Sequence, residues 1–269
     1  MTEGTTSPSV VPAPAPAPNA LFEYLLRLGD DRLVLGHRLS EWCGHGPILE
    51  EDIALSNVAL DLLGQATMFL RLAGEVEGQG RGEDALAYFR DVVEFRNCQL
   101  VELPKGDFAY TIARQFLFDV YAVALLDALS ASSHAEVAAI AAKSLKEAKY
   151  HVRHSGEWML KLGDGTAESH RRVQTAVDEL WRFTGELFAA DDVDRAMRDA
   201  GVGPDLAALK GRWDTLVRDV MTRATLTVPN DTPRHAGMRG GRVGAHTEFL
   251  GHMLAEMQII ARSHPGAAW

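Results

Sequence analysis

The sequence predicts an all-α fold, a bundle of four long helices with additional helices toward the C-terminus. Three observations carry that prediction. Apolar residues from Asn19 onward gather on single helical faces. Cap and breaker residues separate the segments at helix-like lengths. No run of strict apolar–polar alternation is long enough to read as a strand.

Each element follows in order. Residues 1–18 alternate Pro and Ala from Val11 to Pro18 and read as an extended, disordered tail ahead of a single helical domain over 19–269. Asn19 can cap a first helix to about Cys43, where Gly44-His45-Gly46-Pro47 stops it. A second helix runs from about Glu50 to Glu77 and ends at Gly78-Gln79-Gly80, and a shorter one spans roughly Glu83 to Gln99. After the loop Pro104-Lys105-Gly106, Asp107 caps a helix to about Ser130. Ser133 and Glu136 spell an S-x-x-E capping box for a long helix ending near Leu162. Beyond the turn Gly163-Asp164-Gly165 come helices around Ala167–Phe188, Asp192–Ala200 and Asp205–Leu226. The stretch Thr227–Ala245 holds four glycines and two prolines and reads as a loop, and a last helix runs from about Thr247 to Arg262. Short turns at 44–49 and 131–133 make their flanking helices antiparallel neighbours. The connection to the Asp107-capped helix is longer and holds a helix of its own. That is the one-crossover arrangement of ferritin-like four-helix bundles.

Acids stand where the core should be apolar. One row of the second helix reads Ala54, Val58, Asp61, Gln65, Met68, Leu72. The next long helix gives Ile112, Phe116, Asp119, Val123, Leu126, and the one after it Ile140, Ser144, Glu147, His151, His154, Trp158. A buried carboxylate must be paired, protonated or metal-bound. Di-iron carboxylate bundles use this placement, with one Glu from each of two helices and Glu-x-x-His from each of the other two. Here position i+3 from Asp61 is Gly64, and from Glu147 it is Tyr150; His151 at i+4 shares the face of Glu147. The first helix adds Asp30, Asp31, His37 and Glu41, with Arg38 beside them as a cation able to replace a metal's charge. Neither Glu-x-x-His set is intact. Two readings remain. In one, Asp61, Asp119, Glu147 and His151 form a degenerate metal site, with no metal and no catalytic residue expected. In the other, the acids are ordinary pairs with Arg38, Arg114 or Lys149.

The formal charge of −10 argues against a nucleic-acid partner, which needs surplus Lys and Arg. The two cysteines, Cys43 and Cys98, form no CxxC and fit a reducing cytoplasm. No apolar run reaches the ~18 residues of a membrane span, and the N-terminus lacks the basic start of a secretory signal. A cytoplasmic protein with no membrane partner is expected. No GxGxxG, P-loop or G-x-S-x-G is present, so neither a nucleotide site nor a serine hydrolase is indicated.

Six segments carry a resemblance: LRLGDDRLVLGHRLSEWCGHGP (26–47), ALDLLGQA (59–66), TIARQF (111–116), KEAKYHVRHS (146–155), LWRFTGELF (180–188) and HTEFLGHMLAEMQ (246–258). Through them the chain resembles the PaaC family, the C subunits of bacterial ring-1,2-phenylacetyl-CoA epoxidase, over essentially everything after the tail. The resemblance implies a ferritin-like fold and a place in the phenylacetyl-CoA epoxidase, a multicomponent monooxygenase of aerobic phenylacetate catabolism. It implies a non-catalytic subunit that pairs with a sister subunit holding the di-iron centre. A small bridging subunit and an NADPH-dependent reductase with flavin and iron–sulfur groups would complete the complex. Gly64 and Tyr150 stand where metal-binding histidines would be needed.

Other features have two readings each. Lys143, Lys146, Lys149 and Arg153 either face an acidic partner or a CoA phosphate, or form a solvated helix face. The long loop with Arg234, Arg239 and Arg242 is either a partner-binding loop or an insertion. His246-Thr247-Glu248 looks like a helix cap, and His252 with Glu256 is either a metal pair or a surface pair. Trp42, Trp158, Trp181 and Trp213 read as core or interface anchors. Against the structural-subunit reading stand an active di-iron oxygenase or iron-oxidising protein, and a free-standing helical binding protein.

Overall fold

Helix ends lie where a side chain or a glycine can satisfy the backbone groups that a helix leaves open. The computed structural model describes residues 18–230 and 240–267. Helix α1 is Pro18–Ser40 and α2 is Leu49–Glu77. Gly78 closes α2 in the left-handed region, at φ 69 and ψ 18, and donates to the Gly74 carbonyl. The short helices α3 (Glu83–Tyr88) and α4 (Gln99–Glu102) follow, then α5 (Phe108–Leu129) and α6 (Ala135–Gly163). The set is completed by α7 (Ala167–Thr184), α8 (Asp192–Asp199), α9 (Leu206–Arg223) and α10 (Glu248–Ser263). Asp107 and Asp205 act as the N-caps their positions predict, accepting from the Tyr110 and Ala207 amides. No strand occurs among the described residues.

Three local expectations need correction. Ser133 does not cap α6. Its hydroxyl donates to the Ala200 carbonyl at 2.9 Å and its amide to Gly201, so it ties the helix start to the chain after α8. His134 is the cap instead. The helix expected over Glu83–Gln99 breaks after Tyr88. Two buried carboxylates need the backbone amides of this stretch: Asp30 accepts from Arg96 and Asp31 from Cys98, each at 2.8 Å. A continuous helix would have spent those amides on itself. Thr247 precedes α10, but its side chain makes no cap bond and its amide goes to Glu102 at 2.8 Å. The expected loop after Thr227 holds a 3₁₀ turn at Gly241–Val243. Arg234, Arg239 and the N-terminal tail through residue 17 lie outside the described residues.

Helices α1, α2, α5 and α6 make a ferritin-like four-helix bundle. The hairpins α1–α2 and α5–α6 are antiparallel, and α2 runs antiparallel to α6, with residue 61 beside 151 and residue 65 beside 147. Hence α2 and α5 run parallel. Parallel helices cannot be joined by a tight turn, which is why residues 78–107 cross the bundle. Helices α7 and α9 pack on α5 and along α6, and α8 packs on α1. α1 and α5 are therefore buried on nearly every side. Gly163 permits the close approach of α6 to the end of α9, since a Cβ there would sit 2.2 Å from the Ala224 carbonyl oxygen. By length and composition α2 is, against expectation, apolar enough to cross a membrane; 44% of its most apolar stretch is buried in the bundle.

The tryptophans anchor the packing. Trp42 and Trp158 both meet the Phe108 ring edge-on, at 5.9 and 4.9 Å. Trp213 lies 5.5 Å from Trp181 and donates its indole N–H to the Leu117 carbonyl at 2.9 Å. Replacing Trp213 with Ala should lower unfolding free energy by about 3–5 kcal/mol, because it opens a cavity and orphans a buried carbonyl. Chemical denaturation measures this, and a loss below about 1 kcal/mol would contradict the packing described.

Candidate functional site

The 3.6-residue period sets Leu25, Leu28, Arg32, Leu35 and Leu39 on one row of α1, so Arg32 is carried into the bundle with the leucines. The residue is 1% exposed. Nε donates to Gln65 Oε1 at 2.9 Å, Nη1 donates to the Leu28 carbonyl at 2.8 Å, and the group sits over the Phe69 ring at 5.0 Å. Nη2 has no hydrogen-bond partner among the described residues. Gln65 then donates to Glu147 Oε2 at 2.9 Å. One chain of hydrogen bonds thus joins α1, α2 and α6.

The other acids are also engaged. Asp119 on α5 is buried and accepts from Gln115 Nε2 at 2.7 Å and from the Ser155 hydroxyl at 2.8 Å. Burial pushes its carboxyl up to about 6, against the opposing charge of His151 and those two hydrogen bonds. His151 is 2% exposed, and its Nε2 lies 3.0 Å from Asp61 Oδ2. One turn on, His154 Nε2 lies 2.9 Å from Glu51 Oε2.

The structure brings together Asp61 with His151 and places Asp119 within electrostatic reach of the same imidazole. Glu147 is held apart from them by Gln65. Asp61 is a correction: its side chain is 39% exposed, at the edge of α2 and not in the core. None of the cations expected to neutralise these acids does so. Arg38 turns away to Glu41 at 2.6 Å and to the Glu102 carbonyl. Arg114 donates to the Leu103 and Pro104 carbonyls; burial, then Arg38, lowers it to about 10. Lys149 is exposed. The cation that enters the bundle is Arg32, which the leucine row marks and which the nearby Arg38 masked.

A di-iron centre needs carboxylates converging with two histidines, and this donor set does not fit one. Each acid is bound to a different hydrogen-bond donor, and among the described residues no group of three His, Cys, Asp or Glu side chains is placed to hold a metal ion. Gly64 and Tyr150, at the two i+3 positions, are exposed. Lys143, Lys146, Lys149 and Arg153 lie on the exposed face of α6, and His252 and Glu256 are exposed on α10.

Residues 9–269 match the family described as Phenylacetic acid catabolic protein. The chain belongs to this family. It is also 50% identical over 251 residues to the C subunit of 1,2-phenylacetyl-CoA epoxidase from Escherichia coli (strain K12), an alignment covering 93% of this chain and 100% of the relative. In this member of the phenylacetic acid catabolic proteins the polar chemistry is not confined to the bundle centre. Asp30 pairs with Arg90, and Asp31 with Arg242 at 2.8 Å. Glu186 accepts from the amides of Gln99, Gly240 and Gly241. Glu102 accepts from the Thr247 amide and lies 3.1 Å from His246 Nδ1. Sequence reasoning missed the partners of these four acids. The signal was present in acids that do not follow the polar face of their segment.

Asp119 sets a pH test. Its folded value lies above the ordinary value of about 3.9, so the native state binds the proton more tightly than the unfolded chain. The stabilisation is full below about 3.9 and is lost as pH rises through about 6. Asp119→Asn removes that titration. The stability of the wild type relative to this variant should therefore fall between about pH 4 and about pH 7, by on the order of 3 kcal/mol. A flat difference in paired denaturation curves would refute it.

Proposed function

We propose that the chain is a non-catalytic, structural subunit of a phenylacetyl-CoA 1,2-epoxidase in aerobic phenylacetate catabolism, pairing with the subunit that carries the di-iron centre. The observation that carries this reading is Arg32 at the centre of a ferritin-like bundle, bonded through Gln65 to Glu147. A guanidinium supplies fixed positive charge where related bundles place metal, and it can neither bind oxygen nor change oxidation state. Asp61, Asp119 and Glu147 each already accept from a donor of this chain. Family membership and the 50% identity to the C subunit of an epoxidase support the same assignment.

The mechanism is indirect. A rigid bundle with a filled centre offers a firm surface on which another subunit's helices can be held. Precise ligand geometry in that partner depends on such support. The iron belongs to the partner on this reading, and NADPH, flavin and iron–sulfur chemistry belongs to the reductase. A small bridging subunit would complete the assembly.

Elemental analysis and co-purification test the proposal. The chain purified alone should hold far less than one iron and show no epoxidase activity. Co-expressed with the other subunits, it should co-purify with the iron-bearing one. Two irons bound per isolated chain, lost in Glu147→Ala, would favour an active di-iron protein and sink this reading.

A further inference from the structure

The added helices cover the bundle unevenly. Among the described residues, α1 and α5 are enclosed, whereas α2 and the neighbouring edge of α6 stay open to solvent. Along α2, Leu49, Ile53 and Leu60 are 71%, 51% and 66% exposed. With Gly64 they recur at intervals of four, seven and four residues, which places them on one helical face. A Cβ at Gly64 would meet nothing within 4 Å, so the backbone there is bare and open to close approach. Exposed apolar side chains gathered on one face mark an interaction surface.

A different character borders this stripe. α6 runs antiparallel to α2 across the Asp61–His151 and Gln65–Glu147 seam. Just outside the seam Tyr150 is 47% exposed, and Arg153 packs over its ring at 5.5 Å. Lys143 and Lys146 stand on the same outer side, with Lys149 further round the helix and Glu157 exposed among them, so that cations outnumber acids here in a chain whose net charge is −10. The combination is an apolar strip with a basic border.

We infer that this α2/α6 face is the docking surface of the chain, and that it receives an apolar helix of another subunit flanked by acidic side chains. The inference rests on the structural-subunit reading and adds the face and the chemistry of its partner. Charge complementarity selects the occupant. An isologous contact between two copies would match Leu and Ile with Leu and Ile but would bring the same cations to both sides. An acidic border on a different subunit satisfies both halves of the face.

The test uses the full chain co-expressed with the other epoxidase subunits. Leu60→Asp puts a charge into the strip, and Lys146→Glu with Lys149→Glu reverses the border. All three positions are exposed, and unchanged melting confirms folding. Each variant should weaken the complex by at least about tenfold in Kd. Raising salt from about 50 to about 500 mM should weaken the wild-type complex more than the charge-reversed one. Leu216→Asp, on α9 and 39% exposed, should bind as wild type does. If the wild type forms the complex and the α2 and α6 variants match it, the face is overturned and the pairing stands. A wild type that captures no other subunit overturns the pairing reading, and this face with it. Self-association of the purified wild type that Leu60→Asp abolishes, or vesicle binding that depends on the lysines, overturns the choice of occupant.

Discussion

Arg32 carries a full charge with almost no access to water, and α1, α2 and, through Gln65, α6 are arranged to accommodate it. Its bonds to Gln65 and to the Leu28 carbonyl fix the guanidinium between α1 and α2. Gln65 extends the link to Glu147 on α6. Asp119, through Ser155, joins α5 to the same helix. Removing one member of such a network strands a buried charge, which costs about 3–5 kcal/mol. Rotating a helix by one residue would do likewise, so the network fixes the rotation of each helix where apolar packing alone would tolerate alternatives.

A second set of buried acids explains how α1 can be enclosed on its outer side. The segments around 90–98 and 240–247 are neither helix nor strand for most of their length, yet they are packed in. Their amides need acceptors away from water. Asp30, Asp31, Glu102 and Glu186 provide them, and Arg90 and Arg242 balance Asp30 and Asp31. Asp30 and Asp31 are adjacent in sequence and so point about 100° apart. Both can be buried because α1 is surrounded by protein rather than half-solvated.

The same fact separates what was legible in the sequence from what was not. The long helices were legible because their caps act locally: Asp107, Asp205 and Gly78 need only a neighbouring backbone group. The family was legible from segments spread along the chain. The Ser133 cap and the 83–99 helix failed because a distant partner claimed the polar group, the Ala200 carbonyl in one case and Asp30 with Asp31 in the other. Asp61, Asp119 and His151 lie in one neighbourhood with Glu147 held off by Gln65, but their partners could not be read from their spacing. A helical row tells which residues share a face and leaves open which helix that face meets. Arg32 went unnoticed for a related reason: α1 was read with one buried face, and an enclosed helix has several.

The polar centre and the open side of the bundle are connected. Asp61 is 39% exposed and bonded to the buried His151, so it stands on the seam between them. On the docking reading proposed above, a partner lying along α2 would remove water from Asp61. His151 also bears on Asp119. One side chain of α6 therefore stands between the outer edge of α2 and the buried acid of α5.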